Sequence, residues 1–87
     1  MEYQLETSLE CKEEIISHCK KNKVLEDAIR KKVNQIVHMP HHFKPLHKPL
    51  QNKRRVHIMN CFVLIYEIIE ESKTVKLLKF SHHKDAY

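Results

Sequence analysis

The run Phe62-Val63-Leu64-Ile65-Tyr66-Glu67-Ile68-Ile69 is almost unbroken in its apolar character, and it constrains this chain more than any other segment. It is far shorter than the roughly 20 apolar residues that cross a bilayer. A run without polar alternation is expected of a central strand covered on both faces. The chain around it has 87 residues and no Gly, and residues 1–87 read as one small domain with no room for a second core. At 41% hydrophobic and 31% charged residues, it lies above the composition of a disordered segment.

On either side of this strand the sequence predicts further elements. Met1, Tyr3 and Leu5 alternate with Glu2, Gln4 and Glu6, the period of a half-buried strand. Thr7 with Glu10 reads as a capping box opening a helix, with Leu9, Ile15, Ile16 and Cys19 on one arc and Asn22 taking the left-handed conformation at its end. Val24, Leu25, Ala28, Ile29, Val33, Ile36 and Val37 form a stripe of period 3.6 and predict a second helix ending by His38 or Met39, before Pro40. The short link makes the two helices a hairpin.

Pro40, Pro45 and Pro49 then mark an extended basic loop pegged by Phe43, Leu46 and Leu50. Val56 and Ile58 alternate with Arg55, His57 and Met59, which predicts a strand with Arg55 and His57 projecting away from the helices. Asn52 and Asn60 are the expected turn residues. Glu70-Glu71-Ser72-Lys73 reads as a hairpin turn before a last strand, Val75 to His82. The predicted fold is α+β: an N-terminal strand and a two-helix hairpin packed on one face of an antiparallel sheet, in the order β-α-α-β-β-β, with the other face free.

Charge is segregated along the chain. Residues 1–29 hold seven acids against four bases, whereas residues 30–60 hold eight Lys or Arg, five His and no acid. A solvated neutral face mixes signs, so this middle third is expected to meet a polyanion or an acidic protein. Cys11, Cys19 and Cys61 lack CxxC spacing and read as buried free thiols in a reducing compartment. With no signal-peptide pattern and no membrane span, the sequence predicts a cytoplasmic protein. His38, His41, His42, His82 and His83 lack carboxylate or Cys partners at familiar spacing, so no metal and no cofactor is expected. P-loop, dinucleotide and serine-hydrolase motifs need glycines that this chain lacks.

His42-Phe43-Lys44-Pro45-Leu46, Lys48-Pro49-Leu50, Arg54-Arg55-Val56-His57-Ile58, Phe62 to Ile68, and His82-His83 with Tyr87 together resemble the RelE/ParE superfamily of toxin–antitoxin toxins, its RelE/StbE-type branch in particular. The resemblance implies a RelE-like fold and a toxin that enters the ribosome and cuts mRNA by attack of a ribose 2′-hydroxyl on the adjacent phosphate. It implies a cognate antitoxin, expected to be acidic and helical, and ribosome and mRNA as further partners. Carried over, Arg55, His57, His82, His83 and Tyr87 are the catalytic candidates, and Lys44, Lys48, Lys53 and Arg54 the RNA-binding ones. The chain departs from the family in having Met59-Asn60 in place of a glycine, Val63 in place of a basic residue, and no acid in the central segment. A ParE-like toxin acting on DNA gyrase, or a non-catalytic module for RNA or an acidic partner, are the alternatives.

Overall fold

The computed structural model describes residues 2–43 and 53–83. The chain runs β1 (Gln4–Thr7), α1 (Leu9–Cys19), α2 (Lys23–His38), a 3-10 turn (Pro40–His42), β2 (Lys53–Ile58), β3 (Phe62–Ile69), a second 3-10 turn (Glu70–Ser72) and β4 (Thr74–His82). The strands form one sheet in the order β1-β4-β3-β2. β3 lies between β2 and β4 and pairs antiparallel with both, as its apolar run predicts. Its bounds coincide with that run.

The sheet is mixed rather than wholly antiparallel. β1 pairs with β4 in parallel, Gln4 opposite Thr74 through Thr7 opposite Leu77. A parallel pair needs a long crossover, and here the helices, β2 and β3 lie between the two strands. The main core lies between the helices and one face of the sheet. It contains Leu25, Ile29 and Ile36 of α2, Cys11 of α1, and Val56, Ile58, Leu64, Tyr66, Ile68, Val75, Leu77 and Phe80 of the sheet. Tyr66 donates its hydroxyl to the Pro40 carbonyl at 2.6 Å, so the buried ring also anchors the turn after α2. Burial pushes its phenol up to about 12.

The expectation of a bare second face is corrected. Val63 and Ile65 are buried there, and Leu78 packs against them. β3 is therefore apolar on both sides, which is why its sequence shows no alternation.

Several local expectations shift by one residue or one face. Ser8, not Thr7, caps α1: its Oγ accepts from the Cys11 amide at 3.0 Å and donates to the Leu78 carbonyl at 3.0 Å. Being tied to β4 as well, Ser8 has two partners that a reading of the helix alone does not supply. The buried arc of α1 starts at Cys11, with Ile15 and Cys19 packed against the core, while Leu9 (72% exposed) and Ile16 (60% exposed) face outward. Asn22 is the N-cap of α2, accepting from the Leu25 amide, and not the left-handed end of α1. Of the three thiols only Cys11 is fully buried, pushed up to about 12 by that burial, and Cys61 is exposed.

A chain without Gly must place other residues in left-handed backbone. Met59, Asn60 and Lys73 do this, at φ values of 55°, 62° and 50°. Asn adopts the conformation at little cost, and Met at a larger one. Met59→Gly should therefore raise the unfolding free energy by about 0.5–1 kcal/mol. Urea denaturation measures this, and an unchanged midpoint would show the β2–β3 turn to be unstrained.

Candidate active site on the helix-free face

Period two along β2 sends Arg54, Val56 and Ile58 toward the helices and Lys53, Arg55 and His57 to the opposite face. Burial follows this division: Val56 and Ile58 are in the core, while Arg55 and His57 are exposed. Across the sheet, Lys53 stands opposite Glu67, Arg55 opposite Ile65 and His57 opposite Val63.

β4 reaches the same face through an irregularity. Ile65 pairs with Lys79 but Tyr66 pairs with Leu77, so Leu78 is an extra residue on β4. An inserted residue reverses the alternation beyond it. Val75 and Leu77 point into the main core before the bulge, and Phe80 does so after it. Ser81 and His83 are thereby turned to the helix-free face. Without the bulge, His82 would be there instead. The His83 amide continues the ladder past the end of β4, donating to the Cys61 carbonyl at 2.6 Å.

The outcome is a pair of imidazoles. The rings of His57 and His83 lie with centroids 5.2 Å apart, tilted by 33°. Their strands are separated by β3, so the two side chains lean toward each other across it, on the face where Val63 is only 2% exposed. Arg55 sits one pleat repeat from His57 on the same strand and face. Ser81 completes the row His57–Val63–Ser81, its buried hydroxyl without a hydrogen-bond partner among the described residues. Imidazoles interconvert between acid and base near neutral pH, and a guanidinium binds phosphate oxygens in a fork. The face thus brings together groups of the kinds that proton transfer and anion binding use.

The other candidates separate from this group. His82 points to the helix side, edge-on to Phe62 at 5.4 Å between centroids. Arg54 also faces that side and donates to the Phe43 carbonyl at 3.0 Å. Lys44, Lys48 and Tyr87 lie outside the described residues. Among the described residues no group of three or more His, Cys, Asp or Glu is placed to hold a metal ion, and no helix is long and apolar enough to cross a membrane.

Sequence reading missed a second polar cluster, at the opposite end of β3. Glu70 accepts from the Tyr3 hydroxyl at 3.1 Å, from Lys73 Nζ at 3.0 Å and from His41 Nε2 at 2.5 Å. The other nitrogen of His41 meets Arg54 Nη2 at 3.2 Å. Only the Glu70–Lys73 pair is local enough to be read from the sequence. Tyr3, His41 and Arg54 come from distant segments that the sheet alone brings together.

Comparison with known proteins adds to this geometry. A family profile described as the ParE toxin of type II toxin-antitoxin system, parDE, matches residues 11–87. The chain is 43% identical over 68 residues to a protein of Methanocaldococcus jannaschii provisionally designated toxin RelE4, covering 78% of this chain and 72% of that one. Its fold is similar to the YoeB/ParE toxin of Agrobacterium tumefaciens, at a TM-score of 0.81 and 11% identity over 92% of this chain and 98% of that one. It is also similar to a free mutant RelE toxin of Escherichia coli, at 0.76 and 14% identity over 99% and 88%. A chain of the RelBE2 toxin-antitoxin complex from Mycobacterium tuberculosis gives 0.75 and 19% identity over 95% and 100%.

The polar cluster yields a pH prediction. The hydrogen bond from Lys73, then that from His41, holds the Glu70 carboxyl down at about 2 against an ordinary 4.5. A depressed carboxylate contributes stability that is complete above pH 4.5 and lost as pH falls through about 2. Carboxyl carbon NMR should place the Glu70 midpoint near that low value, and Glu70→Gln should flatten the stability profile across the same window. A midpoint at the ordinary carboxylate value would show that the cluster does not persist in solution.

Proposed function

This chain belongs to the ParE toxin family of type II toxin-antitoxin systems, within the RelE/ParE superfamily, and from that premise we propose that it is a ribosome-dependent endoribonuclease that cuts mRNA. The observation that carries the reading is the His57–His83 pair, meeting over β3 on the same face as Arg55.

The chemistry needs an activated 2′-hydroxyl, charge balance on the phosphate and a protonated leaving group. One imidazole of the pair takes the 2′-hydroxyl proton as O2′ bonds to the adjacent phosphorus. Arg55, with Lys53 one pleat repeat away, holds the non-bridging oxygens as charge builds on them. The other imidazole gives its proton to the departing 5′ oxygen. The P–O5′ bond breaks, leaving a 2′,3′-cyclic phosphate and a 5′-hydroxyl. The nucleophile is the RNA's own, so this route asks nothing of a metal ion. Lys44 and Lys48 as further phosphate ligands, and Tyr87 as a ring stacked on a base, enter the proposal from sequence resemblance alone.

The reading includes a cognate antitoxin. Toxin-antitoxin complexes are among the proteins of similar fold, and the acid-free segment 30–60 suits an acidic, helical partner. It also assigns residues 1–87 to one toxin domain acting on ribosomes in the cytoplasm. The match to a ParE profile supports a second reading: the ParE side of the resemblance implies inhibition of DNA gyrase.

Purified protein added to ribosomes carrying mRNA discriminates between them. Wild type should cleave, and His57→Ala and His83→Ala should each lose about 10²–10⁴-fold in rate. Arg55→Ala should lose about 10²–10³-fold, with little change in the fraction of protein bound. Intact mRNA together with poisoned gyrase would transfer the assignment to the ParE activity. RNA binding without cleavage would leave a binding module.

A further inference from the structure

Arg54 and Arg55 are neighbours in sequence and lie on opposite faces of β2. We propose that Arg54 is a positioning residue, bridging β2 to the turn after α2 through His41 and Phe43, and that a second proton on His41 releases the bridge. The inference does not depend on whether the partner of the basic face is RNA, gyrase or an antitoxin.

Hydrogen-bond complementarity carries the argument. A guanidinium has donors only, so His41 Nδ1, 3.2 Å from Arg54 Nη2, must accept. An ionised carboxylate has acceptors only, so His41 Nε2, 2.5 Å from Glu70, must donate. Neutral His41 with its proton on Nε2 satisfies both neighbours. A second proton on Nδ1 would set N–H against N–H at Arg54, while the bond to Glu70 gains charge assistance. The link then yields on the Arg54 side.

Arg54 would keep one partner, the Phe43 carbonyl at 3.0 Å. Its Nε is buried and has no partner among the described residues. The other charged and titratable groups at the cluster are Tyr3 and Lys73, both on Glu70, and Lys32 of α2, over the Phe43 ring at 5.6 Å. His42 packs edge-on to Phe43, as does Tyr66 from β3.

The consequence falls on β2. Among the described residues it is an edge strand, paired with β3 alone. Val56 and Ile58 also hold β2 to the core, and the Arg54 bridge is a further attachment at the start of that strand, where Lys53 and Arg55 project from the other face. Loss of the bridge loosens the strand that presents both cations. Mild acid would therefore weaken their placement without touching the charge on either.

The test uses a substitution that keeps the hydrogen-bond pattern but cannot titrate. In His41→Gln the amide nitrogen can donate to Glu70 and the amide oxygen can accept from Arg54. Amide hydrogen exchange, corrected for intrinsic rates, is followed for Lys53 to Val56 at about pH 7.5 and 5.5, with imidazole nitrogen NMR reading the protonation of His41 at each. Wild-type protection should fall about tenfold in acid, the scale of one hydrogen bond. His41→Gln should stay protected at both pH values, and His41→Ala should be equally exposed at both. Imidazole nitrogen NMR should find Nδ1 of wild-type His41 unprotonated at the higher pH. Protection that does not change with pH in wild type, a fall in His41→Gln matching wild type, or a protonated Nδ1 at the higher pH would each overturn the proposal.

Discussion

Everything in this fold is arranged around a strand whose middle residues are buried on both faces. Val63 and Ile65 are buried on one side of β3, and Leu64 and Tyr66 on the other. Such a strand needs a neighbour on each edge and cover above and below. β2 and β4 supply the edges, and α1 and α2 cover one face together with the main core. Among the described residues, Leu78 is the apolar side chain packed on the second face. His57 and His83 reach over β3 on that face, so the covering of the strand and the assembly of the imidazole pair arise from the same geometry.

The docking of α1 on β4 depends on the same bulge that aims His83. Beyond Thr7, β1 no longer covers the outer edge of β4, and α1 takes over. Glu14 accepts the Phe80 amide at 2.9 Å and Lys79 Nζ at 3.1 Å, and Ser8 takes the Leu78 carbonyl. An exposed strand edge invites pairing with other chains, and here side chains of the helix occupy it. The extra residue at Leu78 thus satisfies helix packing on one side and turns Ser81 and His83 outward on the other.

What the sequence made legible is what local periodicity encodes. The bounds of β3 follow from an apolar run that only a doubly covered strand requires. The outward pair Arg55 and His57 follows from strict alternation with Val56 and Ile58. The stripe of α2 gave Leu25, Ile29 and Ile36 correctly, although Val24 faces solvent. Failures occur where a tertiary partner decides. Ser8 displaces Thr7 as cap because the Leu78 carbonyl also binds it. His83 joins His57 while His82 does not, because a bulge resets the alternation of β4, and no residue type announces one in a chain without Gly. Arg54 is an RNA-binding candidate by resemblance, and the hydrogen-bond acceptors it meets, Phe43 and His41, are thirteen or fewer positions away and invisible to periodicity. The parallel pairing of β1 with β4 belongs to the same class, being fixed by the whole intervening chain.

The central claim is that two imidazoles on the helix-free face carry the proton transfers of 2′-hydroxyl attack. The ends of the RNA left after cleavage test it most directly. Mapping mRNA recovered from ribosomes treated with the purified protein should find 2′,3′-cyclic phosphates upstream of each cut and 5′-hydroxyls downstream. Fragments carrying 3′-hydroxyl and 5′-phosphate ends would mean that water, not the ribose, attacked the phosphorus, and would contradict the account.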